Sequence, residues 1–322
     1  MRGAMTVKDI LKKFYSGYSV YIDIIVKACT AFACFYWIAS IFEGKGIFAN
    51  TFILLIAALL CSVLPVRFIP VVSAVFIVGH SFPMGIDVFA VCAIIILALT
   101  FLFLRFVPDD SPAIIFMPIA MHFGIPALVP ICYGLRKRPS AVLAVGSGCI
   151  LYYLLSAVTS NKEALLEFGK TEYVARLTLL MESINSGNEM VVSILALSGV
   201  VVIVFAFRRL GFAHAYEVAC VSGGLVYLFF IILGNSISLT QFDLAREGIG
   251  AAAAIIVSLI LQFFWLSLDF KKVEVLEFED DRYYYHVKAV PKITAEDFAE
   301  TAEADGESVN FEQKLEDSLR NL

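Results

Sequence analysis

Long apolar runs broken by short polar punctuation fill the first 270 residues. A helix that crosses a bilayer needs roughly 20 mostly apolar residues. Eight stretches read that way: 20–42, 47–64, 68–82, 85–106, 139–158, 190–207, 215–234 and 248–268. The third is the shortest and is expected to be tilted or tightly paired with the fourth. Ahead of them, Val7, Ile10, Leu11, Phe14, Tyr15 and Tyr18 recur at helical spacing with Lys8, Lys12 and Lys13 opposite. That pattern predicts an amphipathic cytoplasmic segment over 1–19, lying on an anionic leaflet. No cleavable leader is expected there.

The stretch 111–135 reads SPAIIFMPIAMHFGIPALVPICYGL and fits no simple span. As one crossing it would carry Pro118, His122, Gly124, Pro126 and Pro130 inside. Each interior proline removes a backbone donor and clashes with the preceding turn. Two half-helices turning back near Phe123 to Pro126 avoid this. Ser111 is then expected to cap the first half, with Pro112 at its first helical position.

Composition agrees with the pattern. The 322 residues are 60% apolar and 16% charged, with a mean hydropathy of +0.85. A soluble domain is nearer half apolar and a quarter charged. The fold class is therefore an all-α polytopic membrane protein: about eight transmembrane helices plus a broken, re-entrant helical hairpin. Disorder and nucleic-acid binding are excluded as main themes. Doubling back at 111–135 puts eleven bases on the cytoplasmic side before the tail and five outside, the positive-inside pattern. Both termini are then cytoplasmic, with 20–270 as the transmembrane domain.

The largest outer loop, 159–189, pairs Ser160 with Glu163 at capping-box spacing. Its stripe of Tyr173, Leu177, Leu180 and Ile184 predicts two short amphipathic helices, either a lid or a substrate gate. Gly248 with Ala252, and Gly250 with Ala254, give small-xxx-small spacing for close helix approach within the bundle or between copies, a homo-oligomer. The seven cysteines lie in apolar stretches without metal-ligand spacing and read as small packing residues.

Few polar groups fall inside the apolar runs, and each is a candidate because burying it in lipid is costly. His122 is the deepest titratable group, at the tip of the broken segment, where helix ends and free carbonyls can build a solute site. Gly124, Pro126 and Pro118 shape that site. His80 and Asp87 flank the turn between the third and fourth spans and would meet if the hairpin closes there, to relay protons or to lock it. Asp23 and Lys27, one helical turn apart, suit a snorkelling pair. Glu217 sits beside His214 near the inner end of its span and is expected at the interface. Asp243, Arg246 and Glu247 read as a solvated outer loop, and Asp109-Asp110 as helix-start residues. No hydrolase, metalloprotease or nucleotide-binding motif is present. The chain is therefore not expected to be an enzyme, nor to hold a metal or cofactor.

After Lys271 the composition changes. Residues 271–322 hold 14 acids and 7 bases. Val273 to Phe278 and Tyr283 to Val290 are rich in strand formers around a polar Glu279 to Arg282 turn, which predicts a cytoplasmic β-hairpin over 271–292. A lone hairpin is marginal in water. Tyr283, Tyr284, Tyr285 and Val287 are therefore candidates for docking on a partner or another copy. Residues 293–322 are acidic and expected to be largely disordered, with a short helix near 311–319.

The segment LEFEDDRYYYHVKAVPKI, from Leu276 to Ile293, resembles a juxtamembrane stretch of uncharacterised multi-pass integral membrane proteins of anaerobic Gram-positive bacteria, where its core reads QFEDDEYYYYVKAVPK. The stretch FMPIAMHFGIPALVPICYGL is similar to theirs as well. Arg282 and His286 depart from the acidic and tyrosine positions of that pattern. The resemblance implies a bacterial plasma membrane and no established activity.

Two functions remain open at this point. One is a permease-like component that moves or binds a small solute at a mid-membrane site in the broken helix. The other is a non-enzymatic scaffold or anchor subunit that recruits a cytoplasmic protein through residues 273–322.

Overall fold

The structure is a computed structural model. It describes residues 2–43, 47–106, 108–136, 139–167, 173–185, 188–210, 214–237, 240–263, 274–280 and 283–289. The expected acidic tail and its short helix, the Lys271-Lys272 start of the tail, the Arg282 turn position and Lys137-Arg138 lie outside the described residues. The chain forms two units, Met1–Ser267 and Leu268–Leu322.

All the described secondary-structure elements of the first unit are helices. Its helices are α1 (Arg2–Phe42), α2 (Thr51–Val63), α3 (Ile69–Ser81), α4 (Ile86–Phe106), α5 (Ala113–His122), α6 (Leu128–Leu135), α7 (Ala141–Ser160), α8 (Lys162–Glu167), α9 (Tyr173–Asn185), α10 (Glu189–Arg208), α11 (Ala215–Ser236) and α12 (Leu244–Leu261). Tyr18 (φ −127°, ψ 22°) kinks α1 just ahead of its apolar stretch. Among the described residues, six helical segments are long and apolar enough to cross a membrane: Tyr21–Phe42, Val66–Met84, Ala141–Ser160, Glu189–Arg208, Ala215–Ser236 and Leu244–Leu261. α2 has 13 residues, about 20 Å at the helical rise, short of a hydrocarbon core about 30 Å thick.

Residue size sorts the two surfaces of these helices. Ala144, Ala196, Ala219, Ala251 and Ala254 are fully buried, as are Cys149 and Cys220. Phe52, Val63, Leu97, Phe229 and Ile249 point outward and are more than 60% exposed. A soluble protein seldom exposes so much contiguous apolar surface. With lipid outside, burial gives helices no hydrophobic drive to associate, so contacts between them depend on small residues and close packing.

The segment 111–135 folds as two half-helices. α5 ends in a Schellman motif: Ile125 N–H donates to Ala120 O (2.9 Å), and Gly124 N–H to Met121 O (3.1 Å). That motif needs a left-handed residue, supplied by Gly124 at φ +73°. Pro130 sits in the first turn of α6, where its missing N–H leaves no intrahelical bond unmade. A collinear arrangement would place Asp110 roughly 35 Å from Arg136. Four residues beyond Arg136 span at most about 14 Å, yet Ser140 Oγ donates to Asp110 Oδ2 at 2.7 Å. The chain therefore doubles back. α5 then packs on α7, with Met117 against Gly148, and α6 packs on α10 and α11 through Ile131 and Gly134.

Three local expectations are corrected. Ser111 does not cap α5: its hydroxyl donates to Pro108 O (2.8 Å), because Asp109 to Pro112 form a tight turn before the helix starts at Ala113. Ser160 closes α7 instead of opening a capping box, and Leu165 N–H donates to Asn161 O at the start of α8. Helix α12 begins four residues before Gly248, because Asp243 caps it by accepting from Ala245 N–H (3.0 Å). Arg246 and Glu247 are thus helical, not loop residues.

In the second unit, β1 (Glu274–Asp280) pairs antiparallel with β2 (Tyr283–Ala289), setting Leu276 opposite Val287 and Phe278 opposite Tyr285.

Candidate functional site

The turned tip of α5 and α6 gathers groups from three directions. His122 ends α5, and its ring meets Trp37 of α1 edge-on at 5.7 Å and Phe123 at 5.5 Å. Trp37 is only 7% exposed, and its indole Nε1 has no hydrogen-bond partner among the described residues. An indole N–H left without an acceptor costs about 1–3 kcal/mol, so this buried donor beside an exposed imidazole is a costly feature of the tip. Pro118 and Pro126 are buried on either side of the turn.

From the third direction comes α12. A Cβ on Gly250 would overlap Gly124 O, so the two backbones touch here and only glycine fits. This contact carries the first turn of α12 to the tip. Glu247 there accepts a hydrogen bond from Tyr227 Oη of α11 at 2.5 Å, and Tyr227 is 3% exposed. Glu189, which opens α10, accepts from the Gln241 backbone and lies within electrostatic reach of Glu247. Tyr152 of α7 lies within reach of Arg246, Glu247 and Glu189. Its neighbour Tyr153 pairs with Ser193 at 2.9 Å. Four helices thus converge their polar groups at one end of the bundle. Sequence reasoning missed this network because Glu247 and Arg246 looked like loop residues and Tyr152, Tyr153 and Tyr227 were not singled out within their apolar runs. The usable signal was Asp243 in front of Leu244-Ala245, a helix start.

His80 and Asp87 are not brought together. His80 Nδ1 lies 2.8 Å from Phe76 O in its own helix, and its ring stacks on Phe42 at 5.4 Å. Asp87, in the first turn of α4, pairs with Arg176 Nε of α9 at 3.2 Å, both side chains 6% exposed. Arg176 Nη1 also donates to Met84 O (3.4 Å). A buried carboxylate needs a cation more than an imidazole can offer one, and the loop 159–189 supplies it. Arg176 was read only as one of the outer bases.

Glu217 approaches His214 at 3.5 Å, both well exposed. At the end of the bundle opposite the polar network, Arg208 lies over Tyr216 (5.2 Å), Arg209 over Phe205 (4.6 Å) and Arg67 over Phe68 (5.8 Å). Among the described residues no group of three His, Cys, Asp or Glu is placed to hold a metal ion. The tip instead gathers hydrogen-bonding groups: an indole, an imidazole, tyrosine hydroxyls and two carboxylates. No protein-family model, no curated protein and no solved structure matches the chain.

Proposed function

We propose that this chain is a permease-like component of a bacterial plasma membrane that binds or moves a small polar solute at the broken helix. The observation that carries the reading is the tip itself: His122 against the unpartnered indole of Trp37, with the Tyr227–Glu247 pair held nearby through the Gly124–Gly250 contact. Broken helices turned back inside a bundle are how many transporters free backbone and polar groups at membrane depth. The proposed topology has eight crossing segments and the re-entrant pair, with α2 and α4 crossing beside the six spans named above. The arginines stacked on aromatics at the Asp110 end support placing that end, and both termini, in the cytoplasm.

An anchoring subunit is the second reading. What favours it is the pairing of β1 and β2, a two-stranded unit too small to be stable alone. Tyr283, Tyr284, Tyr285 and Val287 would there meet a cytoplasmic protein.

Full-length protein reconstituted in liposomes and challenged with radiolabelled amino acids and small amines tests the first reading. It requires uptake or retention of at least one probe, abolished by His122→Ala and by Glu247→Gln. A probe handled equally by wild type and both variants contradicts it. So does loss of a stoichiometric partner on truncation after Phe270 in a protein that moves none of the probes.

A further inference from the structure

Away from the hairpin tip, α3 and α4 enclose an apolar cleft of about 1160 Å³. It runs from Phe48 and Phe89 at one end to Thr100 and Phe101 at the other. At the helical rise the α4 stretch from Phe89 to Phe101 is roughly 18 Å long, about the depth of one leaflet of a hydrocarbon core some 30 Å thick. The volume exceeds the 300–1,000 Å³ common for small-molecule pockets. Both dimensions suit lipid tails better than a compact solute.

The mouth of the cleft is polar and built. Lys162 Nζ donates to Phe42 O (2.9 Å) and to Glu43 Oε2 (3.1 Å). Both Glu43 and Lys162 line the cleft, as does His80. Phe42 ties the three together, since its carbonyl takes Lys162 while its ring stacks on His80. His80 is 6% exposed, and its Nε2 has no hydrogen-bond partner among the described residues. Because Nδ1 faces the Phe76 carbonyl, which can only accept, Nδ1 carries the proton in the neutral ring and Nε2 is a bare acceptor. The mouth therefore presents one cation and one carboxylate, while His80 Nε2 is sealed from it.

We infer that this cleft seats a phosphatidylethanolamine molecule of the surrounding bilayer. Its tails would fill the α3–α4 cleft, its phosphate would meet Lys162, and its ammonium would donate to Glu43. The complementarity is specific in sign and in hydrogen bonding. Phosphatidylcholine has the same charges but no N–H to give Glu43. Phosphatidylglycerol has no cation for Glu43.

The test uses full-length protein reconstituted in vesicles of equal phosphatidylethanolamine, phosphatidylcholine and phosphatidylglycerol, all with the same acyl chains. The protein is re-extracted in mild detergent and its co-purifying lipid quantified. Phosphatidylethanolamine should be retained over phosphatidylcholine by about tenfold, the factor set by one charge-assisted hydrogen bond. Glu43→Gln should bring that ratio close to unity. Val75→Trp, at a cleft-lining position 58% exposed, should lower total retained lipid without altering the melting temperature. Glu43 is 80% exposed, so its substitution leaves folding intact. Retained lipid matching the vesicle composition, preference for phosphatidylglycerol, or selectivity that survives Glu43→Gln each overturns the inference.

Discussion

The hairpin side of the bundle and the α3–α4 side are built from the same apolar alphabet and do opposite things with it. Around the hairpin, contacts are made by the smallest residues, with Gly250 touching the Gly124 carbonyl and Met117 seated on Gly148. Helices approach closely, and tyrosines and carboxylates at one end find one another. Between α3 and α4 the lining mixes Val75, Ile96, Leu97 and Phe101 with Ala74, Gly79 and Ala93, and a cleft remains open beside them. Close approach at glycine, more than hydrophobicity, therefore marks where this protein is tight. In lipid this is the expected rule, since apolar surface gains nothing by leaving one oily phase for another.

The largest expected effect separates two glycines on one helix. Gly250→Ala drives a methyl group into the Gly124 carbonyl and should lower stability by about 2–3 kcal/mol or more, read as a drop in melting temperature in detergent. Gly248→Ala meets no atom within 4 Å. There the same substitution should raise stability by about 0.5–1 kcal/mol through helix propensity. Equal effects would mean the close approach is not what holds the hairpin.

Next is the ion pair that ties α9 to α4. Arg176→Met or Asp87→Leu alone should cost about 3–5 kcal/mol by stranding a buried charge, while the double variant should recover most of the loss. A strictly additive double variant would show that the two charges act separately. Tyr227→Phe removes the donor to Glu247 and should cost about 1.5–3 kcal/mol. It should also weaken solute retention in the liposome assay, whereas Gly248→Ala should not. The smallest change is expected for Ser111→Ala, which loses one bond to the Pro108 carbonyl, at about 1 kcal/mol or less in the same melting assay.

Much of the fold was legible because it is written in local chemistry. Apolar runs of span length mark the helices, and Pro118, Gly124, Pro126 and Pro130 mark the break. The local turn bonds at Ala120 to Ile125 are short-range and follow from glycine alone. What was not legible depends on contacts distant in sequence. Asp87 and Arg176 meet only once α9 folds back over α4, and nothing near Asp87 announces an arginine in a distant loop. His80 looked like the partner because it was close in sequence. At the candidate site, His122 was visible as a lone imidazole in an apolar run. Trp37 was hidden because its unpartnered N–H appears only after packing, and Glu247 because a four-residue error in the start of α12 moved it from helix to loop. The span boundaries erred for a related reason: capping at Asp243 and the turn at Asp109 to Pro112 shift helix starts by residues that hydropathy does not weigh.

The account stands on the reversal of the chain at Phe123 to Ala127. The most direct test places single cysteines at Asp109 and at Pro139, the two flanks of the hairpin, in a variant freed of native cysteines. Each is then labelled in oriented membranes with an impermeant thiol reagent. Both positions should react from the same side of the membrane. Labelling from opposite sides would make 111–135 a single crossing and remove the site at its tip.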